Sequence, residues 1–306
     1  MMDYLKQRIQ ASVPTLFAVS RYLSIRPEGV LEGDLSRAVR PPVMFEGQPG
    51  EPALQVSLEV GADIGLLTVT GARGKQAWTL APDVRGAVVG CPPDDSSAFR
   101  SLLLRLLGIR AVAALDRGET PSDVARALTW LVLRQDPRSP LADAWGDGPE
   151  KIFRKALGDQ TVGNSDQWRG LRRWGRSLGV LIEAQASPSR GRMRVLVDPT
   201  CAIRDVLPLL LAPSAAGEWL GRLRTLIPVL GAPALAAEVG IRDGDVPPTL
   251  ALALRKLDRA GYLSLVTSDD DRDAVTLQVG SEPAQRVAQI RVAAAGVART
   301  ALEAGA

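Results

Sequence analysis

Three stretches of this 306-residue chain repeat one pattern, in which amphipathic helical segments are followed by two short strand-like segments. The third stretch shows the pattern most clearly, with predicted helices over 218–230, 234–239 and 249–260 and predicted strands over 262–267 and 274–279. Leu250, Leu254 and Leu257 recur on one face of the last helix. Gly261 follows this helix, at the place where a left-handed C-cap would end it.

The other two stretches predict the same succession of elements. The first stretch predicts a helix that begins at Pro14, helices over 31–39 and 52–60, and strands over 66–70 and 76–80. The middle stretch predicts helices over 121–133, 150–157 and 165–178, strands over 180–186 and 193–197, and a further helix that begins near Pro199. An alanine-rich segment over 283–302 is expected to form a final helix.

Three helices followed by a hairpin are typical of the winged helix, a helix-turn-helix variant. The sequence therefore predicts an α+β, mostly helical fold built from tandem winged-helix modules. We expect winged-helix domains over 1–90 and 212–281, a helical or winged-helix middle domain over 91–211, and a C-terminal helix over 282–306. A chain of this length suits several small hydrophobic cores better than one.

The predicted helix over 165–178 separates into an apolar face and a basic face. The apolar face holds Trp168, Leu171, Gly175 and Leu178. The basic face holds four arginines at i, i+3, i+4 and i+7, namely Arg169, Arg172, Arg173 and Arg176. Further cations stand before and after this helix, namely Lys151, Arg154, Lys155, Arg190, Arg192 and Arg194. Ten basic and four acidic residues lie between positions 150 and 194, a balance that favours contact with a phosphate backbone.

Two interpretations of these cations stay open at this stage. One is a solvated arginine face paired with acids elsewhere in the fold. The other is a recognition helix in a DNA groove, with Arg169 and Arg173 near base edges. The second interpretation gains support because Asp166 is the one acid placed within the helix to neutralise the arginines. Trp168 and Trp174 are then candidates to stack on bases, although the apolar pattern favours a core position for Trp168 and a boundary position for Trp174.

The other two hairpins carry different charges. The turn of the first hairpin contains Arg73 and Lys75, which is a weak basic signal. The turn of the third contains Asp269, Asp270, Asp271 and Asp273 around Arg272. Phosphate would repel this acidic turn, so the third copy is expected to dock on protein. A cation site is the less favoured alternative to a solvated turn, because the glycine and distal glutamate of an EF-hand loop are missing.

Composition excludes much of the enzyme repertoire. The chain has no histidine, which rules out Ser-His-Asp and Cys-His catalytic sets and His-ligated metal sites. Its two cysteines, Cys91 and Cys201, are too few for a four-thiolate zinc site. They are expected to be buried free thiols, with a disulfide between them as the less favoured alternative. Neither a Gly-x-x-x-x-Gly-Lys-Ser/Thr loop nor a Gly-x-Gly-x-x-Gly loop occurs. Glu183, Gln185 and Asp166 resemble a two-metal nuclease core only weakly, so we expect no enzyme, cofactor or metal.

Hydropathy predicts no membrane insertion. The first residues lack the apolar core of a signal peptide. The most apolar stretches, 102–107 and 206–211, are much shorter than a membrane span. We therefore expect a soluble, cytoplasmic protein.

Short sequence motifs of the middle stretch resemble those of the DpdG family. They are Asn164-Ser165-Asp166-Gln167-Trp168, Arg173-Trp174, Ser177-Leu178-Gly179, Val197-Asp198-Pro199-Thr200 and Ala202-Ile203-Arg204. This family belongs to bacterial clusters that insert 7-deazaguanine bases into DNA and restrict unmodified DNA. The resemblance implies an accessory subunit of a phage-defence system, and it brings no catalytic residues with it.

The leading hypothesis is a non-enzymatic DNA-binding scaffold that acts on double-stranded DNA with nuclease, helicase or ATPase partners. A second hypothesis is a pure interaction subunit, because the repeated modules are similar to the tandem winged helices of kleisin-binding subunits in chromosome-organising ATPases. A transcriptional regulator is a further alternative. The acidic third turn favours the second hypothesis, and the basic helix favours the first.

Overall fold

The structure is a computed structural model, and it describes residues 2–39, 53–72, 75–92, 95–158, 161–185, 193–241, 246–268, 270–271 and 273–293. Within these ranges the chain is α+β and mostly helical, as the sequence predicts. None of the helices in these ranges combines the length and the hydropathy that crossing a membrane requires.

The first unit follows a four-residue helix, α1 (Tyr4–Gln7). Its elements are α2 (Val13–Ser24), β1 (Val30–Leu31), α3 (Glu32–Val39), α4 (Ala53–Asp63), β2 (Leu67–Thr70) and β3 (Ala77–Leu80). The three strands form an antiparallel sheet in the order β1-β3-β2. The three predicted helices and both predicted strands are therefore confirmed, and β1 is an additional strand that pairs at the sheet edge.

The middle unit repeats this topology after two connecting helices, α5 (Pro82–Val89) and α6 (Ser97–Asp116). Its elements are α7 (Asp123–Arg134), β4 (Leu141–Ala142), α8 (Pro149–Leu157), α9 (Ser165–Ser177), β5 (Leu181–Gln185) and β6 (Met193–Val197). The strand order β4-β6-β5 matches that of the first sheet. The predicted helix that begins near Pro199 is α10 (Thr200–Val206).

The third unit differs from the prediction in its sheet. Its elements are β7 (Ser214–Ala215), α11 (Ala216–Leu226), α12 (Pro233–Glu238), α13 (Pro248–Arg259), β8 (Leu263–Thr267), β9 (Val275–Leu277) and β10 (Gln285–Val292). Strands β8 and β9 do not form a hairpin with each other, because each pairs antiparallel with β10. The predicted helix over 283–302 is thus wrong across β10, where pairing with β7, β8 and β9 outweighs the helical preference of alanine. Residues 294–302 lie outside the described part.

The third helix of each unit ends in the same way. The glycine just past each helix has a positive φ, +79° at Gly65, +69° at Gly179 and +74° at Gly261. The next residue then donates its N–H to a carbonyl oxygen five residues earlier, in the bonds Leu66–Gly61, Val180–Gly175 and Tyr262–Leu257 at 2.8, 2.8 and 2.9 Å. This is the hydrogen bond of a Schellman motif, which requires a residue that tolerates a left-handed backbone. In each unit it turns the chain directly into a strand.

One connected hydrophobic core runs through the three units. Helix α7 lies near its centre, since the buried Asp123 accepts hydrogen bonds from the N–H groups of Tyr4, Leu5 and Lys6 at the start of the chain. At its other end, Val132 accepts a hydrogen bond from the Thr249 hydroxyl at the start of α13. The domain limits at residues 90, 211 and 281 stay predictions.

Candidate nucleic-acid interface

Helix α9 is built so that its arginines lie on the outer face. The Asn164 side chain caps the helix by accepting from the N–H groups of Asp166 and Gln167, at 3.0 and 2.9 Å. Leu171 is fully buried, and Gly175 lies so close to β5 that a β-carbon there would be 2.4 Å from Leu181 Cδ1. The inner face of α9 is therefore fixed against the sheet, and the opposite face points outward.

Arg169 and Arg173 are both exposed on this outer face. The Arg169 guanidinium forms an ion pair with Asp166, one helical turn before it. The Arg173 guanidinium donates to the carbonyl oxygen of Ile9, in the segment between α1 and α2. Arg173 therefore meets a neutral acceptor from the first part of the chain, and its charge is not cancelled by that contact.

Arg172 and Arg176 share one carboxylate, Glu183 of β5. Glu183 Oε1 accepts from Arg172 Nε at 2.7 Å, and Oε2 accepts from Arg176 Nη1 at 2.8 Å. Arg172 also donates to the carbonyl oxygen of Asp143 at 2.8 Å, and its side chain is only 19% exposed. Arg172 thus holds α9 to its own sheet, whereas the Arg176 side chain is 57% exposed.

The arginine face is consequently half neutralised. Four guanidinium groups meet two carboxylates, Asp166 within the helix and Glu183 from the strand that follows. Asp166 is the acid within the helix, and the turn after α9 returns Glu183 to the same face, so Arg172 and Arg176 pair with an acid from elsewhere in the fold. Glu183 thereby forms two charge-assisted ion pairs that link β5 to α9.

The middle unit also exposes the three cations of its helix α8. Lys151, Arg154 and Lys155 line a shallow cavity of about 620 Å³ together with Gly146 and Glu150. Arg154 forms an ion pair of 2.6 Å with Glu150, one turn before it. Both lysines are solvent-exposed at the surface of this helix. Helix α8 therefore adds a second basic surface to the middle unit.

The two tryptophans of α9 do not face outward. Trp168 is 1% exposed and donates its indole N–H to the carbonyl oxygen of Asp143 at 2.9 Å. Trp174 is 2% exposed, and its ring stacks on that of Tyr4 with a centroid distance of 6.1 Å. The core position predicted for Trp168 is confirmed, but the boundary position predicted for Trp174 is wrong. Neither ring is available to stack on a base.

Several predicted residues of the hairpin turns lie outside the described part of the chain, namely Arg73, Arg190, Arg192, Asp269 and Arg272. Arg194 lies on β6 opposite Ala184 and is half-buried. In the acidic turn of the third unit, Asp271 accepts the N–H of Asp273 at 2.9 Å, as in a local turn. No group of three or more Cys, Asp or Glu side chains in the described ranges is arranged to hold a metal ion.

Both cysteines are free thiols, as expected, but the expected burial is confirmed only for Cys91. Cys91 is buried, and Cys201 is partly exposed. Burial raises the pKa of the Cys91 thiol, although nearby Arg21 opposes this effect. A raised pKa keeps the thiol protonated and unreactive, which is typical of a structural cysteine.

These features define an α+β, mostly helical protein with three similar units and a basic outer surface on the middle one. The family model described as DpdG-like matches residues 2–271. The chain therefore belongs to the DpdG-like family, and the resemblance seen in the middle stretch is confirmed. Membership suggests a role in the Dpd defence-related system. No curated protein and no solved structure shows a significant match to the chain.

Proposed function

We propose that this protein is a non-enzymatic accessory subunit of the Dpd system that binds double-stranded DNA through its middle unit and scaffolds partner subunits. The observation that carries the proposal is the outer face of α9, where Arg169, Arg173 and Arg176 are all exposed. Exposed arginines on one helical face attract the DNA backbone and can donate to base edges.

We further propose that the three units are tandem winged helices. In the first and middle units, the order helix–strand–helix–helix–strand–strand and the sheet order first–third–second support this assignment. Helix α9 is the third helix of its unit, which is the recognition helix in helix-turn-helix proteins. In the third unit β7 precedes the three helices instead of following the first of them, and β10 takes the sheet position that the last hairpin strand holds in the other two.

A non-enzymatic role fits the side chains that the structure describes. The chain has no histidine to act as a general base near neutral pH. Glu183, the carboxylate that a nuclease core would need, instead binds Arg172 and Arg176. The protein would then contribute DNA binding and assembly, and catalysis would come from nuclease, helicase or ATPase partners.

The test is a fluorescence-anisotropy titration of a DNA duplex at two salt concentrations. The variant R169Q/R173Q/R176Q removes the exposed cations and leaves Arg172, which holds Glu183, in place. We expect its affinity for the duplex to fall about 10- to 100-fold at low salt. The slope of log affinity against log salt concentration should become shallower by about two to three, because about that many phosphate contacts are lost.

The matched control is R37Q/R105Q/R259Q, which removes three exposed arginines from α3, α6 and α13. It changes the net charge by the same amount and is expected to retain duplex affinity within about threefold. Equal losses in the two variants would mean that net charge alone drives binding. If the wild-type protein binds no duplex and instead co-purifies with an ATPase or nuclease, the interaction-subunit function replaces this proposal.

A further inference from the structure

A cavity of about 430 Å³ lies where the first and middle units meet. One wall is the start of α2, with Ser12, Val13 and Pro14. The other wall is the C-terminal half of α9, with Arg173, Arg176 and Ser177. The lining residues include two cations and no carboxylate, so the cavity is positively charged.

Within the described part of the chain, each of the two arginines is held by a hydrogen bond to another element. Arg173 donates to the Ile9 carbonyl oxygen, three residues before Ser12, and Arg176 Nη1 donates to Glu183 Oε2 at 2.8 Å. A guanidinium has five N–H donors in a rigid fork, so each side chain keeps donors for a further acceptor. Two fixed guanidinium groups beside one cavity match the charge and the several oxygen atoms of a phosphate.

The wall from α2 adds to this charge. Helix α2 has 12 residues, and its Ser12 side chain caps it by accepting the N–H of Thr15. The N-terminal end of a helix carries a partial positive charge that favours an anion nearby. This contribution is secondary to that of the two arginines, but it has the same sign.

We propose that this cavity is a phosphate-binding site, in which Arg173 and Arg176 bind one phosphate of the DNA backbone beside the α9 contact. The assignment of the phosphate to DNA rests on the proposed function, whereas the site itself does not. The first unit then takes part in DNA binding through the start of α2. A free phosphate is the other source of the same chemistry.

The test places a negative charge in the cavity without removing the helix cap. Ser12→Asp keeps a good capping residue and puts a carboxylate beside the two arginines, while Ser12→Asn is its neutral control, since Ser, Asp and Asn cap equally well. The pair Ser177→Asp and Ser177→Asn repeats the test from the opposite wall. Thermal melting of all four variants checks that they fold.

Two arms identify the source of the phosphate. In the first arm, duplex affinity is expected to fall about tenfold in each Asp variant and to stay within about twofold of wild type in each Asn variant. In the second arm, the melting temperature is measured in inorganic phosphate and in chloride at equal ionic strength. A phosphate-induced rise that both Asp variants lose, with unchanged duplex affinity, supports the site with free phosphate as its ligand.

The proposal is overturned if the Asp and Asn variants behave alike in both arms. That result would leave the proposed function standing if R169Q/R173Q/R176Q still loses duplex affinity. Conversely, phosphate stabilisation that the Asp variants lose, in a protein that binds no duplex, would retain the site and reject the DNA function.

Discussion

Helices α4 and α9 occupy the same place in two units of one topology, yet their surfaces are opposite in character. Counting back from Gly65 and Gly179, the four arginine positions of α9 correspond to Gln55, Leu58, Glu59 and Ala62 in α4. Leu58 is fully buried, and Glu59 forms an ion pair of 2.6 Å with Arg8. The backbone that ends the two helices is shared, but the basic surface is not.

The last residue of α4 binds other parts of the protein. Asp63 accepts a hydrogen bond of 2.7 Å from the Tyr4 hydroxyl and one of 3.1 Å from Arg110 of α6. In α13, the residue at the position of Arg173 is Arg255, which donates to Glu282 at 2.6 Å and to the Leu277 carbonyl oxygen at 2.9 Å. At the position of Arg173, α4 therefore has Glu59 and α13 has Arg255, each paired with an oppositely charged side chain, whereas Arg173 itself donates to a neutral carbonyl oxygen.

The largest expected effect is on stability. It tests a feature found in both α4 and α9, a glycine that packs closely against a strand of its own unit. A β-carbon at Gly175 would lie 2.4 and 2.5 Å from Leu181 Cδ1 and Cγ, and one at Gly61 would lie 2.7 Å from Leu67 Cδ1. We expect Gly175→Ala to lower the free energy of unfolding by about 2 kcal/mol, because the clash outweighs the helical preference of alanine. The smaller clash at Gly61→Ala predicts a loss of about 1 kcal/mol. Chemical denaturation measures both values.

The control for this comparison is Gly221→Ala in α11, where a β-carbon meets no atom within 4 Å. It is expected to leave stability unchanged or to raise it by up to about 1 kcal/mol. If Gly175→Ala were as stable as Gly221→Ala, the close approach of α9 to β5 would be wrong.

Local sequence signals were enough to predict the helices that this comparison uses. The predicted helix over 249–260 is Pro248–Arg259, and the one over 165–178 is Ser165–Ser177. Apolar spacing and a terminal glycine define such helices without help from distant residues. Strand β10 was not predictable in this way, since its partner β7 lies about 75 residues earlier in the chain. Long-range pairing decided its conformation against the local preference.

In the candidate site, too, the features set by local spacing were predictable and the contacts between distant residues were not. The spacing of Arg169, Arg172, Arg173 and Arg176 was sufficient to predict that they share one face, and the structure agrees. The role of Glu183 was missed because it reaches the arginines only after the chain reverses at Gly179. The burial of Trp174 was missed because its cover is Tyr4, which comes 170 residues earlier. Contacts between elements were thus the part that spacing could not predict.

A smaller effect on stability is expected in α13. Its residue Lys256 occupies the position that Trp174 has in α9. Lys256 Nζ lies 2.6 Å from Asp198 Oδ2, and this carboxylate is only 8% exposed. Burial raises the pKa of Asp198, but the hydrogen bonds from Lys256 and Thr200 outweigh burial and hold the pKa below its ordinary value. Lys256→Met should therefore lower the free energy of unfolding by about 1 kcal/mol at pH 7.

The pH dependence of this loss follows from the lowered pKa of Asp198. A lowered pKa stabilises the folded protein above the unfolded-state pKa of about 4, and that stability is lost as the pH falls through the folded-state value. The cost of Lys256→Met should therefore begin to shrink as the pH falls below about 4, because protonation of Asp198 in the unfolded state then reduces the stability that the Lys256 contact supplies. Urea unfolding at pH 7 and pH 3.5 measures the difference, with the exposed Lys151→Met of α8 as control. A cost that does not change with pH would show that Lys256 acts through packing alone.

The smallest expected effect comes from giving α4 one residue of α9. Glu59 stands at the position of Arg173, so Glu59→Arg replaces its ion pair with Arg8 by a repulsion between two cations. Both side chains are about one-third exposed, and solvent screens the change, so we expect a loss of only about 0.5 kcal/mol. Glu59→Gln, which removes the ion pair without adding a cation, should cost less. Denaturant unfolding measures both losses.

Duplex affinity in the same variant decides how different α4 and α9 are in function. The remaining positions in α4 are Gln55, Leu58 and Ala62, so one added arginine does not rebuild the basic face. We expect the affinity of Glu59→Arg to stay within about twofold of wild type in the anisotropy assay, because a single exposed cation away from the DNA is screened by salt. A tenfold gain would place α4 against the DNA as well. In that case both helices would contact DNA, and they would differ only in how strongly they do so.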